Sequence, residues 1–402
     1  MRSILFVINT MGIGGGEKAL LEIFKRIDFK KYDVSLFVLT GQGELVNQVP
    51  KQVKLLNKKY YPISVLNRAG KVRLFQTVIR AMLTKNGLHG KIRYIVSCLR
   101  MMVKQGDIRK EKLLWKILSD GAQRFDEKYD LAVAFLEGGA AYYVASHVNA
   151  ERKAAFIHIN YEMAGYNRIL DEDCYLKFDQ IFTVSENVKN SFLHVYPECR
   201  MRTAVFFNLI DREGIMRKAA ETGGFSDNFT GCRILTVGRL VPQKALDLAI
   251  DTMRILKDMD RNFRWYVLGE GELRKRLEEK ISILGLKEDF VLLGTTDNPF
   301  PYYVQCDLYV HTAHYEGKSI AVEEAQILGC TILTTEYDGV EEQVKNGVDG
   351  IICKSDSRLL AENIVDLVND PQKRMDYSMA ATKREQADYE KEIDKLLRLL
   401  GD

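Results

Sequence analysis

Short apolar segments alternate with amphipathic segments along this chain, and the alternation occurs in two successive series. The first opens with the apolar run 3–9, passes through a glycine-rich stretch into an amphipathic segment, and reaches a second apolar run at 33–40. The second begins at Arg233 and extends to about residue 369. Strand, helix and strand in this order predict parallel sheets. We therefore predict an α/β protein of two doubly wound domains facing across a cleft, with a ligand at the carboxyl ends of the strands.

The length of the chain supports two domains, because 402 residues is about two to three times the size of a single domain. Periodicity is lost near 212–231, which is typical of an inter-domain connection. The predicted first domain covers 1–212 and contains a helical insert at 60–125. The predicted second domain covers 225–370, and an amphipathic helix lies in the remaining segment, 371–402.

Composition excludes several classes of protein. The 58 basic and 55 acidic residues give a net charge of +3, so no chain-wide nucleic-acid surface exists and we expect no nucleic-acid partner. The seven cysteines are scattered and contain no C-x-x-C pair, which argues against a zinc ribbon and favours a reducing, cytoplasmic location. Apolar runs stay below the roughly eighteen residues that a membrane span requires.

The helical insert is strongly basic. Residues 68–112 contain twelve Lys or Arg residues, against only Asp107 and Glu111. One interpretation is a solvated helical face; the other is attachment to an anionic membrane surface, where each cation contributes about 1 kcal/mol and the apolar faces insert. The second interpretation predicts a peripheral location on the inner face of the membrane. RNA binding is disfavoured because Phe75 and Tyr94 are the only aromatic residues in this stretch.

Two loops of the first series are candidates for ligand contact. The glycines at 12–16 follow a predicted strand and open a helix, a setting that favours anion binding, although tight packing alone also explains them. Glu17 breaks the G-x-G-x-x-G pattern, so a nicotinamide dinucleotide is disfavoured. The segment Glu137-Gly138-Gly139 is either an acceptor-side loop or a packing turn.

Two cations follow the first strand of the second series. Arg239 lies at the end of that strand, and Lys244 lies five residues later at a predicted helix start. Two permanent charges and a helix dipole in one small volume suit a pyrophosphate. The alternative is that both are ordinary surface residues.

Two glutamates lie in the segment 314–325. Glu316 falls in a predicted loop and Glu324 in the following helix, and we expect Gly317 and Ser319 to expose their backbone amides between them. Because a carboxylate accepts two hydrogen bonds in parallel, each glutamate suits a vicinal diol such as that of a ribose or hexose. Solvated glutamates are the alternative.

Together these motifs resemble the donor-binding half of the family-4 retaining glycosyltransferases. These enzymes, also called group 1 glycosyltransferases, have the GT-B fold of two Rossmann-like domains. The resemblance is to the members that synthesise bacterial surface polysaccharides. The resemblance extends over about 230–355. It rests on Gly238-Arg239 with Lys244, on Gly269-Glu270-Gly271, and on Glu316 and Glu324 with seven residues between them, followed by Ala325 and Gly329. In the first half only the glycine loop and His158 resemble the family.

The resemblance implies a role for each motif residue. Arg239 and Lys244, together with Gly238, would bind the diphosphate of a nucleoside-diphosphate sugar. We expect the nucleotide of this donor to be UDP. Glu324 would hold the ribose and Glu316 the donor sugar. His158 would approach that sugar from the first domain, and the Gly14 and Gly15 amides would contact the phosphate or the acceptor.

The resemblance also implies the reaction and the acceptor. It predicts a retaining transfer to a glycan or lipid-linked hydroxyl by front-face attack, without a cofactor. It further predicts that the C-terminal segment 371–402 crosses back to the first domain.

The chain departs from the family pattern at two positions. After Glu316-Gly317 this chain has Lys318-Ser319, where family members often have a pair such as Phe-Gly. We expect Lys318 either to add a third cation beside the phosphates or to select an acidic or differently oriented donor sugar. Ala245 replaces a usual glycine after Lys244, which we expect to matter little because alanine is favourable at a helix start.

We expect no metal ion. Asp171-Glu172-Asp173 and Asp258-Met259-Asp260 match the metal-binding string Asp-x-Asp, but neither follows a predicted strand. We assign recognition of the base to backbone contacts around Thr295, in Gly294-Thr295-Thr296. Two alternatives remain open: a sugar-nucleotide 2-epimerase, and a nucleotide-binding module without catalysis.

Overall fold

The computed structural model describes residues 1–83, 88–105, 111–259, 262–385 and 387–401. The chain divides into two compact units. Unit 1 comprises Met1–Leu209 together with Ala387–Asp402, and unit 2 comprises Ile210–Gln386.

Unit 1 is built on a sheet of seven parallel strands. They are β1 (Arg2–Ile8), β2 (Tyr32–Val38), β3 (Lys54–Leu55), β4 (Lys128–Ala134), β5 (Asn149–Ile157), β6 (Gln180–Thr183) and β7 (Thr203–Val205). Their order across the sheet is β3-β2-β1-β4-β5-β6-β7. The order reverses between β1 and β4, so the carboxyl ends of these two strands flank a crevice where α/β proteins bind ligands.

The helices of unit 1 fall into two groups. Those that connect or follow strands of the sheet are α1 (Gly15–Phe24), α5 (Gly139–His147), α6 (Arg168–Asp171), α7 (Glu186–Val195) and the C-terminal α15 (Tyr389–Leu397). The helices of the predicted insert are α2 (Arg68–Leu83), α3 (Leu88–Gln105) and α4 (Glu111–Gly121). Of the basic stretch, Lys85, Asp107, Arg109 and Lys110 lie outside the described residues.

Unit 2 is built on six parallel strands. They are β8 (Cys232–Val237), β9 (Phe263–Leu268), β10 (Phe290–Gly294), β11 (Leu308–His311), β12 (Ile332–Thr335) and β13 (Ile351–Cys353). The order is β10-β9-β8-β11-β12-β13, which reverses between β8 and β11. The loops that follow β8 and β11 therefore start side by side at the same edge of the sheet.

Helices cover both faces of the second sheet. They are α8 (Arg212–Ala219), α9 (Leu246–Asp258), α10 (Arg274–Ile283), α11 (Phe300–Gln305), α12 (Ile320–Ile327), α13 (Ser357–Asn369) and α14 (Pro371–Thr382). One buried cluster joins α9, α10 and α13 to one face, and a second joins α8, α11 and α12 to the other. Neighbouring residues of β8 divide between them, Ile234 in the first cluster and Leu235 in the second. The prediction of two doubly wound α/β domains is confirmed.

The C-terminal segment differs from its predicted bounds. Helix α14 belongs to unit 2, because the Arg374 guanidinium donates to the Leu367 carbonyl oxygen (2.7 Å) and the Ser378 hydroxyl donates to that of Gly329 (2.6 Å). Only the part from Ala387 onward joins unit 1, where Glu392 accepts a hydrogen bond from the Phe207 amide (3.0 Å).

Candidate active site

Two loops at the carboxyl edge of the second sheet are joined by backbone hydrogen bonds. The loop after β8 leads through Gly238 to Lys244, and the loop after β11 leads to Glu316. The His314 amide donates to the Gln243 carbonyl oxygen (2.9 Å), and the Thr312 hydroxyl donates to the Lys244 carbonyl oxygen (2.8 Å). This junction places Lys244 opposite Glu316.

The Glu316 carboxylate is the centre of the junction. It is only 7% exposed, and three side chains donate to it. Lys244 Nζ and His311 Nε2 (3.2 Å) contact Oε1, and Gln243 Nε2 (3.2 Å) contacts Oε2. A carboxylate has about four acceptor positions, so most of its capacity is already used.

The neighbours of Glu316 keep its carboxylate ionised. Burial by itself would raise the pKa of this carboxyl, but the Lys244 ammonium and the His311 ring outweigh burial and lower the pKa to about 2. Glu316 is therefore ionised across the whole physiological range, and it holds the Lys244 ammonium in place.

His311 is neutral and has a defined tautomer. Burial, together with the positive charge of Lys244, lowers its pKa. Because ionised Glu316 can only accept, Nε2 of His311 carries the proton, and Nδ1 is left to accept from the Tyr309 hydroxyl (3.3 Å).

Glu324 lies in α12 and is buried, with 3% exposure. Its Oε2 accepts a hydrogen bond from the Tyr303 hydroxyl (3.0 Å). The Tyr303 ring stacks on Tyr309 at 5.3 Å, and Tyr309 stacks on His311 at 6.2 Å. A continuous row of buried rings thus connects Glu324 to His311, which donates a hydrogen bond to Glu316.

Gly238 lies against the Lys244 side chain, and Arg239 is the next residue along the chain. A Cβ atom on Gly238 would lie 3.2 Å from Lys244 Cε, so the lysine stem packs on this glycine. Arg239 is exposed, and within the described part of the chain its guanidinium forms no hydrogen bond or ion pair. Its charge is available to an anion, whereas that of Lys244 is shared with Glu316.

The segment after Glu316 differs from the prediction. Gly317 and Ser319 are both buried, and the Ser319 amide donates to Gln343 Oε1 (2.7 Å) while its carbonyl oxygen accepts from Gln343 Nε2 (2.9 Å). The expectation that Ser319 exposes a free amide is therefore wrong. Lys318 Nζ pairs with Glu323 (2.8 Å), so part of its charge is neutralised within the protein.

Thr295 follows β10 and is exposed. The neighbouring Gly294 carbonyl oxygen accepts a hydrogen bond from the Gly269 amide (2.8 Å), and Gly269 in turn packs on Gly238. Thr295 is thus connected to the loop after β8, but its contact with a base stays a prediction.

Ala245 has a conformation that the sequence did not indicate. Lys244 ends a short 3-10 turn, and Ala245 adopts a left-handed conformation with φ of 46° before α9 begins at Leu246. The expectation that alanine matters little here is wrong, because this conformation costs a residue with a Cβ atom about 1 kcal/mol or more.

Ala245→Gly is therefore expected to raise the free energy of unfolding by about 1 kcal/mol. Chemical denaturation of the two proteins measures the difference. Ala249→Gly, in the middle of α9, is the control and should lower that free energy by at least as much, because it also removes a buried methyl group. An Ala245→Gly protein that is less stable than the wild type would contradict the account.

A second group of candidate residues lies at the carboxyl edge of the first sheet. Helix α1 begins at the predicted glycine loop, with Gly14 capping it and Gly15 as its first residue. The Glu137 side chain accepts a hydrogen bond from the His158 amide (3.0 Å), and a Cβ atom on Gly16 would lie 4.0 Å from His158 Nδ1. The loops after β1, β4 and β5 therefore meet, as parallel strands require.

His158 carries an unsatisfied polar atom. Its Nε2 is buried and has no hydrogen-bond partner among the residues that the structure describes. Burial lowers the pKa of the ring to about 4, so the side chain is uncharged at neutral pH. A neutral imidazole with one unpaired nitrogen suits a polar group of a ligand.

The two Asp-x-Asp strings do not gather carboxylates. Asp171 is buried and accepts from the Tyr142 hydroxyl (2.8 Å), whereas Glu172 pairs with Lys116 (3.0 Å). Asp258 pairs with Arg254, and Asp260 lies outside the described residues. Over the described ranges, no three His, Cys, Asp or Glu side chains are grouped to hold a metal ion.

Several residues of the site were not predicted. His311, Gln243 and Tyr303 fix the two glutamates, and Gln343 fixes the loop between them. The position of His311 at the end of the apolar run 308–311 is a sequence signal that could have identified one of them.

Comparison with known proteins supports the resemblance of the second half of the chain to the group 1 glycosyltransferases. Residues 230–384 match the family model described as glycosyl transferases group 1. The chain is 28% identical over 239 residues, 58% of its length and 64% of the relative's, to a Campylobacter jejuni N-acetylgalactosamine-N,N'-diacetylbacillosaminyl-diphospho-undecaprenol 4-alpha-N-acetylgalactosaminyltransferase. It is 29% identical over 170 residues to the Staphylococcus aureus capsular polysaccharide biosynthesis glycosyltransferase CapM, covering 42% of this chain and 44% of CapM. It thus spans less than two thirds of either relative.

The fold is also found among solved structures. Anabaena Alr3699/HepE, in complex with UDP and glucose, aligns over 100% of both chains with a TM-score of 0.68 and 16% identity. At this identity the likeness shows the fold alone, and it confirms the fold class inferred from the motifs. Residues 230–384 therefore belong to the group 1 glycosyltransferase family, and the chain has the GT-B fold of two Rossmann-like domains.

Proposed function

We propose that this chain is a retaining, metal-independent glycosyltransferase. It transfers a sugar from a UDP-sugar to a hydroxyl of a glycan or lipid-linked acceptor in the biosynthesis of a bacterial surface polysaccharide. The observation that carries the proposal is the pairing of Lys244 with Glu316 at the point where the strand order of the second sheet reverses. The undecaprenol-linked acceptor and the capsule in the names of the two relatives support the acceptor class.

The cations of the second unit would bind the diphosphate of the donor. Arg239 is exposed and has no ion-pair partner among the residues that the structure describes, and it suits bidentate contact with phosphate oxygens. Lys244 adds a second charge, held in position by Glu316. As the bond between the sugar and the phosphate breaks, negative charge builds on the leaving nucleotide, and these cations stabilise it.

The glutamates would orient the donor. Glu324 would accept from the ribose hydroxyls, and Glu316 would contribute its remaining acceptor position to the sugar. Glu316 is a poor nucleophile because three donors bind it and its pKa is about 2. Front-face attack fits this state: the acceptor oxygen bonds the sugar carbon as the phosphate leaves, and the phosphate oxygen takes the acceptor proton.

The first unit would contribute the acceptor side. The Gly14 and Gly15 amides lie at the positive end of α1 and suit a phosphate or another anion. His158 would bond a sugar hydroxyl through its unpaired Nε2. All seven cysteines are free thiols, which fits a cytoplasmic site of synthesis.

A thermal-shift screen with UDP, GDP, ADP and CDP tests the nucleotide. At 100 times its dissociation constant, UDP should stabilise the protein by about 2.7 kcal/mol. Incubation with the UDP-sugar alone and with an acceptor tests the reaction. Turnover of the sugar without an acceptor would favour the 2-epimerase, and binding without turnover would favour a non-catalytic module.

Lys318 would raise affinity for the donor as a further cation near the diphosphate. Lys318→Ala should raise the KM for the UDP-sugar roughly tenfold, because a charge-assisted hydrogen bond contributes about 1.5 kcal/mol. Lys318→Arg should restore most of the affinity, and Lys354→Ala, at an exposed position of the same unit, should have no effect. Steady-state kinetics measure all three. Unchanged donor affinity and turnover in Lys318→Ala would remove this role.

A further inference from the structure

The outer faces of two insert helices combine apolar and basic side chains. On α2, Val72, Phe75, Ile79 and Leu83 are 54%, 65%, 42% and 76% exposed. Their spacing of three, four and four residues places them on one stripe of the helix. On α3, Ile92, Val96 and Val103 are 49%, 41% and 65% exposed and form a second stripe.

Basic residues border both stripes. Helices α2 and α3 contain eight Lys or Arg residues and no Asp or Glu. Six of the eight are exposed: Arg68, Lys71, Arg80, Arg93, Arg100 and Lys104. None of the six forms an ion pair with another described residue. On α2, Lys71 and Arg80 lie on opposite sides of the apolar stripe at helical spacing.

The inner faces of the same helices are fixed to unit 1. The Gln42 side chain donates to the Gly70 carbonyl oxygen (3.2 Å), and the Tyr94 hydroxyl donates to that of Leu170 (2.9 Å). Tyr94, Cys98 and Met102 belong to a buried cluster. The exposed stripes therefore face away from the core, on helices whose orientation is set by the fold.

We propose that these stripes form a docking face for an anionic phospholipid membrane. Here the docking face means the exposed residues of α2 and α3 named above. Each helix has the composition of an interfacial helix, with cations at the level of the lipid phosphates and apolar side chains, Phe75 above all, in the acyl region. Within the described ranges, none of the helices has the length and apolar character of a bilayer span. Attachment would therefore be peripheral.

The positive charge of the docking face, together with its apolar stripes, favours a lipid surface over a second copy of the chain or RNA. A second copy of this chain would bring six more cations against the six already there, and they would repel. RNA would match the charge but would leave the apolar stripes in water, and Phe75 is the only exposed aromatic side chain on the docking face. The face does not involve the donor site, so its test is independent of the proposed function.

Co-sedimentation of the full chain with vesicles at low salt tests the proposal. The protein should bind phosphatidylglycerol vesicles and not phosphatidylcholine vesicles, and added salt should weaken binding. The triple variant Arg68→Gln, Lys71→Gln, Arg80→Gln should bind roughly a hundredfold more weakly, about fivefold for each cation. Lys30→Gln, Lys51→Gln, Lys275→Gln removes the same net charge from exposed positions elsewhere and should bind as the wild type does.

A second triple variant tests the apolar stripe. Phe75→Ser, Ile79→Ser, Leu83→Ser should weaken vesicle binding at least tenfold without changing net charge. Its control, Met201→Ser, Ile283→Ser, Met375→Ser, removes exposed apolar side chains at distant positions. Because all the substituted residues are exposed, the thermal unfolding midpoints should stay at the wild-type value.

Three results would overturn the proposal. The first is no binding to phosphatidylglycerol vesicles at low salt, and the second is equally strong binding to phosphatidylglycerol and phosphatidylcholine vesicles. The third is a loss of vesicle binding in the control variants as large as that in the docking-face variants. A dimer in sedimentation velocity that the Phe75 triple variant abolishes would assign the face to a second copy of the chain. Displacement from vesicles by single-stranded RNA would assign it to nucleic acid.

Discussion

Lys244→Met should lower kcat/KM for the nucleotide-sugar donor by roughly 10²- to 10³-fold, the usual effect of removing one preorganised group that stabilises a developing charge. The ammonium lies on Glu316 and beside Gly238, so its position is fixed before the donor binds. Most of the loss should appear in kcat, because the charge on the leaving nucleotide grows in the transition state. Steady-state kinetics with the UDP-sugar measure it.

Stability must be separated from catalysis in this variant. Without Lys244, the Glu316 carboxylate is buried without its cation, which costs about 3 kcal/mol or more and raises its pKa from about 2. The double variant Lys244→Met, Glu316→Gln removes both charges and should recover most of the stability but not the activity. Lys257→Met, whose ion pair with Asp289 lies in another part of the unit, should keep wild-type kcat/KM. A Lys244→Met enzyme within threefold of the wild type would contradict the proposed role.

Gly271→Ala should lower the free energy of unfolding by roughly 3 kcal/mol or more. A Cβ atom at this position would lie 2.2 Å from the Leu240 carbonyl oxygen, which is backbone and cannot turn away. Gly269→Ala should be equally damaging, with its Cβ atom 1.9 Å from the Gly238 carbonyl oxygen. Both glycines permit the loop after β9 to lie against the segment that carries Arg239. Chemical denaturation measures the loss.

Gly285→Ala is the matched control for this prediction. Gly285 is in the same unit and has φ of 67°, but no atom lies within 4 Å of its Cβ position. Its substitution should cost only about 1 kcal/mol, for the left-handed backbone alone. If Gly271→Ala and Gly285→Ala were equally destabilising, the close approach of the two loops would be wrong.

The sequence predicted the parts of the site that depend on strand order. Lys244 and Glu316 each follow an apolar run, and parallel strands bring their carboxyl ends to one edge of the sheet. The motifs also indicated the family of residues 230–384. The residue types indicated a pyrophosphate for Arg239 and Lys244 and a vicinal diol for Glu316 and Glu324. A sugar diphosphate as the ligand was implied by the family resemblance and stays a prediction.

Contacts between distant segments could not be predicted. Gln343 uses both backbone groups of Ser319, although the two residues are 24 positions apart. The left-handed conformation of Ala245 follows from the 3-10 turn at Lys244, and an alanine gives no sign of it. The sequence indicated apolar faces in the insert, but only the structure shows that the stripes on α2 and α3 point away from the core.

A crystal structure of the chain with bound UDP would test the central claim most directly. We expect the diphosphate to contact the Arg239 guanidinium and Lys244 Nζ, and the ribose hydroxyls to contact the Glu324 carboxylate. UDP bound at saturating concentration to any other part of the chain, with these three side chains unoccupied, would contradict it.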